Sequence, residues 1–161
     1  MKTVVVTGSS RGIGFGLARS FVERGCNVVV SGRSQEALDR AVAQLSSGGS
    51  GSSRGAVFGA PCDVTRREQV EALWSAAANR FGKVDVWINN AGSSHAPVPF
   101  WKLAPAKIDE VLESNLHGMM NGCFVAMRGM QAQGSGHIYN MEGFGSDGAT
   151  QVGMAIYVTV P

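Results

Sequence analysis

The chain has 161 residues, enough for one domain with a real core, and its 44% hydrophobic and 16% charged residues are the balance of a soluble α/β protein. A net charge of +2 is too small to argue for nucleic acid or an anionic membrane as partner, and no apolar run reaches the length of a bilayer span. Cys26, Cys62 and Cys123 are scattered, odd in number and without metal-ligand spacing, so they read as reduced core thiols and predict neither a disulfide framework nor a metal site.

Lys2-Thr3-Val4-Val5-Val6 is a β-branched run that predicts a buried first strand, with no signal or transit segment expected ahead of it. It leads into Thr7-Gly8-Ser9-Ser10-Arg11-Gly12-Ile13-Gly14 and then Leu17, Ala18, Phe21 and Val22, spaced as one face of a helix. A glycine-rich turn alone is a weak signal. Between a strand and a helix N-terminus it predicts an anion site, because backbone N–H groups and the helix dipole both favour a phosphate there. The lack of a side chain at Gly8 eases the turn, at Gly12 it lets a ligand approach, and at Gly14 it lets the helix pack closely.

Gly25 is placed to end the first helix, and Cys26 to Ser31 predicts the second strand. Ser34 is a cap candidate for a helix burying Leu38, Ala41, Val42 and Leu45. Residues 46–53 are only Ser and Gly and predict a flexible connection. Gly55 to Ala60 reads as a third strand. Thr65 and Glu68 form a capping-box pattern before the stripe Val70, Leu73, Trp74, Ala77, Ala78 and Phe81, which Gly82 closes. Val84 to Asn89 predicts the fourth strand. One long helix is expected to carry Ile108, Val111, Leu112, Asn115, Leu116, Met119, Cys123, Met127 and Met130 on one face, and Gly136 to Met141 predicts the fifth strand. Alternating strands and helices predict a doubly wound parallel sheet covered on both faces, with the ligand at the carboxyl ends of the strands.

Four further features bear on chemistry. Gly32 and Arg33 follow the second strand; a small residue and then Arg suits a ribose 2′-phosphate, and Arg11 can reach the same group, unless both are simply solvated. Asp63-Val64 follows the third strand and could be a simple turn. Asn89-Asn90-Ala91-Gly92 follows the fourth. Asn115 sits on an apolar stripe, where its amide needs partners, either backbone groups or something catalytic. His95, His117 and His137 show no ligand spacing and read as structural or surface residues.

The Thr-Gly-x-x-x-Gly-x-Gly turn, Asp63-Val64 and the Asn-Asn-Ala-Gly segment resemble the short-chain dehydrogenase/reductase family over residues 3–157. The resemblance implies a Rossmann-like fold in a single dinucleotide-binding domain over residues 1–161, incomplete after the fifth strand. It implies NADP(H) as cofactor, held by Thr7, Gly8, Ser10, Arg11, Gly12, Ile13, Gly14, Arg33, Asp63, Val64, Asn90, Ala91 and Gly92. Asp63 and Val64 would flank the adenine. Asn115 matches the family's catalytic Asn, which helps hold a proton-relay water, and Tyr157 matches the Tyr that protonates the carbonyl oxygen. The family's Lys falls at Pro161, and its Ser falls at Gly143, with Ser146 three residues away as the substitute.

The run Asn140-Met141-Glu142-Gly143-Phe144-Gly145-Ser146 is similar to a segment of the chlorophyll b reductases of plants and green algae. That resemblance implies NADPH-dependent reduction of the 7-formyl group of chlorophyll b or chlorophyllide b to 7-hydroxymethyl, in chlorophyll breakdown. It implies a chloroplast setting, otherwise a cytoplasmic one, and an oligomer, homo- or hetero-, with a related reductase. A truncated coding sequence is expected, able to bind cofactor but barely to turn over. Two other readings stay open: a reductase of another ketone or aldehyde, such as a 3-oxoacyl thioester or a steroid-like ketone, and a catalytically dead NADP-binding remnant with a regulatory or partner role.

Overall fold

Val4, Val5 and Val6 have side chains on both faces of their strand, and so do Val28, Val29 and Val30; all six are buried. A strand buried on both faces requires cover on both faces, and that requirement sets the architecture. The computed structural model describes residues 1–47, 54–143 and 153–154. In chain order they form β1 (Thr3–Val6), α1 (Gly12–Glu23), β2 (Asn27–Gly32), α2 (Gln35–Ser47), β3 (Val57–Pro61), α3 (Arg67–Phe81) and β4 (Val86–Asn89). A 3₁₀ turn (Phe100–Lys102), α4 (Pro105–Leu112), a π turn (Glu113–His117), α5 (Gly118–Gln133) and β5 (His137–Asn140) complete the order.

The five strands run parallel in the order β3-β2-β1-β4-β5. Val4 lies beside Val28 on one side and Val86 on the other. On one face Val5, Val29 and Trp87 pack with Val70, Leu73 and Ala77 of α3 and Val125, Ala126 and Met130 of α5. On the other, Val28 and Val30 pack with Ala18 and Val22 of α1 and Leu38 and Leu45 of α2. The sheet is doubly wound, as expected.

Local details depart from the sequence expectation in three places. Ser46 and Ser47 belong to the last turn of α2; the rest of the Ser/Gly stretch, 48–53, lies outside the described residues. No capping box forms at Thr65. The Asp63 carboxylate takes both the Thr65 N–H, at 3.0 Å, and its hydroxyl, at 2.9 Å, so α3 starts without a side-chain cap. The single long helix is broken by the π turn. A π turn absorbs one extra residue, which rotates the next helix by about 100°. The buried set in α5 is therefore Gly118, Asn121, Gly122, Val125, Ala126 and Met130, while Met127 faces solvent. This brings small residues inward. A Cβ on Gly122 would stand 1.9 Å from Asn89 Oδ1, so α5 lies directly on the end of β4.

Chain direction reverses in strand order between β1 and β4, and the two strand ends are tied together there. Thr7, 1% exposed, accepts through Oγ1 from the backbone N–H groups of Asn90 (2.9 Å) and Ala91 (3.0 Å). Asn90 Nδ2 donates back to the carbonyls of Thr7 (2.9 Å) and Gly8 (3.1 Å). Replacing Thr7 by Val removes an acceptor from two N–H groups, and each buried group left unpaired costs about 1–3 kcal/mol. Thr7→Val is thus expected to lower the urea midpoint markedly and Thr7→Ser to retain most of it; equal loss in both would assign the effect to packing alone.

At the opposite end, Asp85 accepts from Thr3 N–H at 2.8 Å and pairs with Lys83 at 2.7 Å. Burial acts to raise its pKa, but the Lys83 hydrogen bond, the Thr3 N–H and the charges of Lys83 and Lys2 together hold it below the ordinary 3.8. A depressed folded value contributes stability above the unfolded value, which is lost as pH falls through the folded one. The stability advantage over Asp85→Asn, followed by denaturant unfolding, should be constant at neutral pH and shrink only below 3.8. Lys83 is more than half exposed, so the advantage itself should be small.

Candidate functional site

The turn between β1 and α1 is shaped by two left-handed glycines, Gly8 at φ +63 and Gly12 at φ +61. A Cβ on Gly8 would sit 2.7 Å from Ala91 Cα, so this position also sets how closely the β4 loop approaches. Ser9 fixes the turn to β2: its hydroxyl donates to Val6 O at 2.6 Å and accepts from Ser31 N–H at 3.0 Å. At Gly12 a Cβ would meet nothing within 4 Å among the described residues. The N-terminus of α1 has no side-chain cap and no acidic residue in its first turn. Among the described residues its first N–H groups have no acceptor, which leaves them open to an outside one, and the helix dipole favours an anion.

That N-terminus opens on a cavity of about 450 Å³ at the carboxyl ends of the strands. Gly8, Ser10, Arg11, Gly12, Ile13 and Gly14 line it from the first turn, Gly32 and Arg33 from the end of β2, and Asp63 and Val64 from the loop after β3. Asn90, Ala91 and Gly92 complete it from the loop after β4. Arg11 and Arg33 are exposed, and among the described residues neither makes an ion pair. The residues fit a dinucleotide. The cavity has an uncapped helix end for a pyrophosphate, an open glycine for close approach and two free guanidinium groups for a further phosphate.

Thr7 is the exception among the residues assigned to this cavity: it is buried, its hydroxyl is engaged by the Asn90 loop, and it does not line the wall. Conversely, Cys62, Thr65, Ser93, Glu110, Glu113 and Ser114 line the cavity although their sequence context did not mark them. Cys62 could have been noted as the neighbour of Asp63. Burial, and then the Asp63 charge, push its thiol up to about 12, so it stays protonated. Glu110 and Glu113 gave no signal, because they read as the solvated side of a helix.

A second cavity of about 210 Å³ adjoins the first across Ile13, Asn90, Ala91, Gly92 and Ser93. Asn115, Met119, Met141, Glu142 and Gly143 form its far side. Asn115 lies in the π turn and grips the backbone of Ser93: Oδ1 accepts from Ser93 N–H at 2.8 Å and Nδ2 donates to Ser93 O at 3.0 Å. The amide thus holds the partition between the cavities. Beneath it, Asn89 accepts from Trp87 Nε1 and donates to Asn140 Oδ1, both at 2.8 Å, locking β4 to β5. Ser146 and Tyr157 lie outside the described residues.

His95 is buried with Nδ1 2.9 Å from Ala96 O, whereas His117 and His137 are exposed. Among the described residues no three His, Cys, Asp or Glu side chains gather as metal ligands. Nor, among them, is any helix long and apolar enough to cross a membrane.

Comparison with known proteins agrees with this geometry. The short chain dehydrogenase family matches residues 2–159. Two chloroplastic proteins of Arabidopsis thaliana, the probable chlorophyll(ide) b reductase NYC1 and the chlorophyll(ide) b reductase NOL, are each 37% identical to this chain. NYC1 aligns with 97% of this chain and 34% of its own length, and NOL with 96% and 44%. An L-fucose dehydrogenase of Oryctolagus cuniculus is 42% identical over 87% of this chain and 46% of its own. A solved actinorhodin polyketide ketoreductase with NADPH superposes with a TM-score of 0.87 at 32% identity, over 98% of this chain and 59% of that one. The chain spans less than half the length of these curated relatives. With the fold, the glycine turn and the family match in agreement over nearly all its residues, the chain belongs to the short-chain dehydrogenase family.

Proposed function

We propose that this chain is the cofactor-binding part of an NADPH-dependent carbonyl reductase whose substrate is chlorophyll b or chlorophyllide b, reduced at the 7-formyl group to 7-hydroxymethyl. The observation that carries the proposal is the single cavity walled by the Gly8–Gly14 turn, Arg33, Asp63 and the Asn90–Gly92 loop. A nicotinamide cofactor, when bound, supplies a hydride. The α1 N-terminus and the turn from Gly8 to Gly14 bind its pyrophosphate, Arg11 and Arg33 hold the 2′-phosphate, and Asp63 and Val64 flank the adenine. Thr7 contributes indirectly, by fixing the loop that carries Asn90 and Ala91.

Support for the pigment as substrate comes from the similarity to NYC1 and NOL and from the segment Met141-Glu142-Gly143 beside the second cavity. Tyr157 is the proposed proton donor to the carbonyl oxygen, with Ser146 in the place of the family's Ser. Asn115 positions the partition between the cavities. Among the described residues its amide is bonded only to Ser93, which leaves one lone pair and one N–H with which to hold a relay water. The chloroplast is the proposed compartment, by similarity to those relatives. A homo- or hetero-oligomer is proposed as well, and exposed Met120, Phe124 and Met127 on α5 offer an apolar face for it.

Cofactor preference is tested by titrating the protein with NADPH and NADH at moderate salt. Charge-assisted bonds contribute roughly 1.5–3 kcal/mol each before solvent screening reduces them. Arg33→Asp should weaken NADPH binding about tenfold or more and leave NADH within a few-fold. Equal affinity of the unaltered chain for both cofactors would overturn the assignment of the arginines.

The chemistry is tested separately, because Pro161 stands where the family has Lys. A tyrosine without that Lys has a pKa of about 10 and stays a neutral phenol. This chain is expected to bind NADPH yet form the 7-hydroxymethyl product, followed by chromatography, about 10²–10⁴-fold more slowly than an extended chain carrying Lys four residues after Tyr157. Undiminished turnover by this chain would refute the role of the Lys. An extended chain that binds NADPH and reduces a 3-oxoacyl thioester, but leaves chlorophyllide b untouched, would refute the substrate.

A further inference from the structure

Three side-chain polar atoms among the described residues are buried without a hydrogen-bond partner: Ser31 Oγ, Ser93 Oγ and His95 Nε2. Such atoms are costly, and buried polar groups are otherwise paired. Ser31 and His95 line neither of the two cavities. Ser93 lines both, at the partition where the larger meets the smaller. An unpaired hydroxyl at that place is a different matter from one inside the core, because a ligand spanning the two cavities has to pass it.

The rest of Ser93 is already satisfied. Asn115 takes its N–H at 2.8 Å and donates to its carbonyl at 3.0 Å, so the hydroxyl is the one polar group left over. With the backbone held on both sides, the oxygen can move only by turning about the Cα–Cβ bond, which offers three staggered positions. Glu110 does not fill the vacancy. Its carboxyl is held low first by the hydrogen bond from Lys107, at 2.8 Å, and Ser93 acts in the same direction, but the geometry between Ser93 and Glu110 is not that of a hydrogen bond.

We propose that Ser93 is a binding residue for the nicotinamide riboside half of the dinucleotide: its hydroxyl, unpaired in the free protein, turns toward the cavities and bonds a polar group of that half. The inference rests on reading the larger cavity as an NADP site. In that reading Arg11, Arg33, Asp63 and Val64 hold the adenosine half, so the part that reaches the partition is the other one. A serine hydroxyl both donates and accepts, which suits the ribose hydroxyls and carboxamide found there. Asn115 has a separate task, since it fixes the backbone from which the hydroxyl turns.

The test compares the unaltered protein with Ser93→Ala in two measurements. The first is calorimetric titration with NADPH and with adenosine 2′,5′-bisphosphate, which carries the 2′-phosphate but lacks the nicotinamide riboside half. The second is the urea midpoint of the protein without ligand. Ser93→Ala should weaken NADPH about two- to tenfold, the worth of one hydrogen bond, and leave the bisphosphate within about twofold. The midpoint should stay the same or rise, because the change removes an unpaired buried hydroxyl and breaks no bond. A purely structural serine would show the reverse, a lower midpoint with both ligands weakened alike, and that result would overturn the proposal. So would NADPH affinity that Ser93→Ala leaves untouched while both ligands still bind, an outcome that sinks this inference and spares the reading of the cavity. If the unaltered protein binds neither ligand, the reading of the cavity falls first and this inference with it.

Discussion

The Thr7–Asn90 interlock is the constraint on which the site depends. A parallel sheet whose strand order reverses leaves a crevice between β1 and β4, because the chain leaves those two strands toward opposite faces. A crevice can bind a ligand only if its walls are fixed. Here Thr7 Oγ1 accepts two N–H groups from the far wall, and Asn90 Nδ2 returns to two carbonyls of the near one. Thr7 is buried and its partners at Gly8, Asn90 and Ala91 are half-buried, where leaving polar groups unpaired is costly. The same contact demands glycine on both sides. A Cβ on Gly14 would stand 2.4 Å from Asn90 Nδ2, and one on Gly8 would run into Ala91.

A second constraint is laid across the crevice from α5. The π turn shifts the inward face by one residue, which seats Gly118 against Val64 and Gly122 against Asn89. Asn121 then reaches Val64 O at 2.9 Å and accepts from Arg67 Nε at 3.1 Å, tying α5 to the loop after β3 and to α3. Asn115, inside the π turn, grips Ser93. Three loops, after β1, β3 and β4, are therefore positioned by one helix pair and one interlock. The irregular turn is what points Asn115 at a backbone segment and lets the next helix present small residues to the sheet.

Several parts of this arrangement are legible in the chain itself. The valine runs are apolar at every position, which leaves no choice but strands covered on both faces. Gly25, Gly82 and Gly134 have positive φ at helix ends, where Gly is favoured, and the helices stop there. Other parts mislead. Thr65 and Glu68 have the spacing of a capping box, yet Asp63, two residues upstream, offers a charged acceptor that captures Thr65 first. The stripe through Asn115, Met119, Cys123 and Met127 has helical spacing, yet that spacing assumes unbroken 3.6-residue periodicity. One inserted residue is enough to expose Met127 and bury Gly122.

The sequence by itself determined the strand–turn–helix that frames the larger cavity, the doubly wound class and the family. Each rests on residues close together in the chain, where backbone freedom, β-branching and helical spacing act locally. Only the tertiary structure decided what lies across from that turn. Thr7 proves to be a brace within the crevice, because its partners at Asn90 and Ala91 come from more than eighty positions away. Glu110 and Glu113 join the cavity because α4 and the π turn are carried over the sheet by the crossover after β4. Contacts of that kind are set by which faces must be buried, and a local pattern of residues does not encode the distance between two loops.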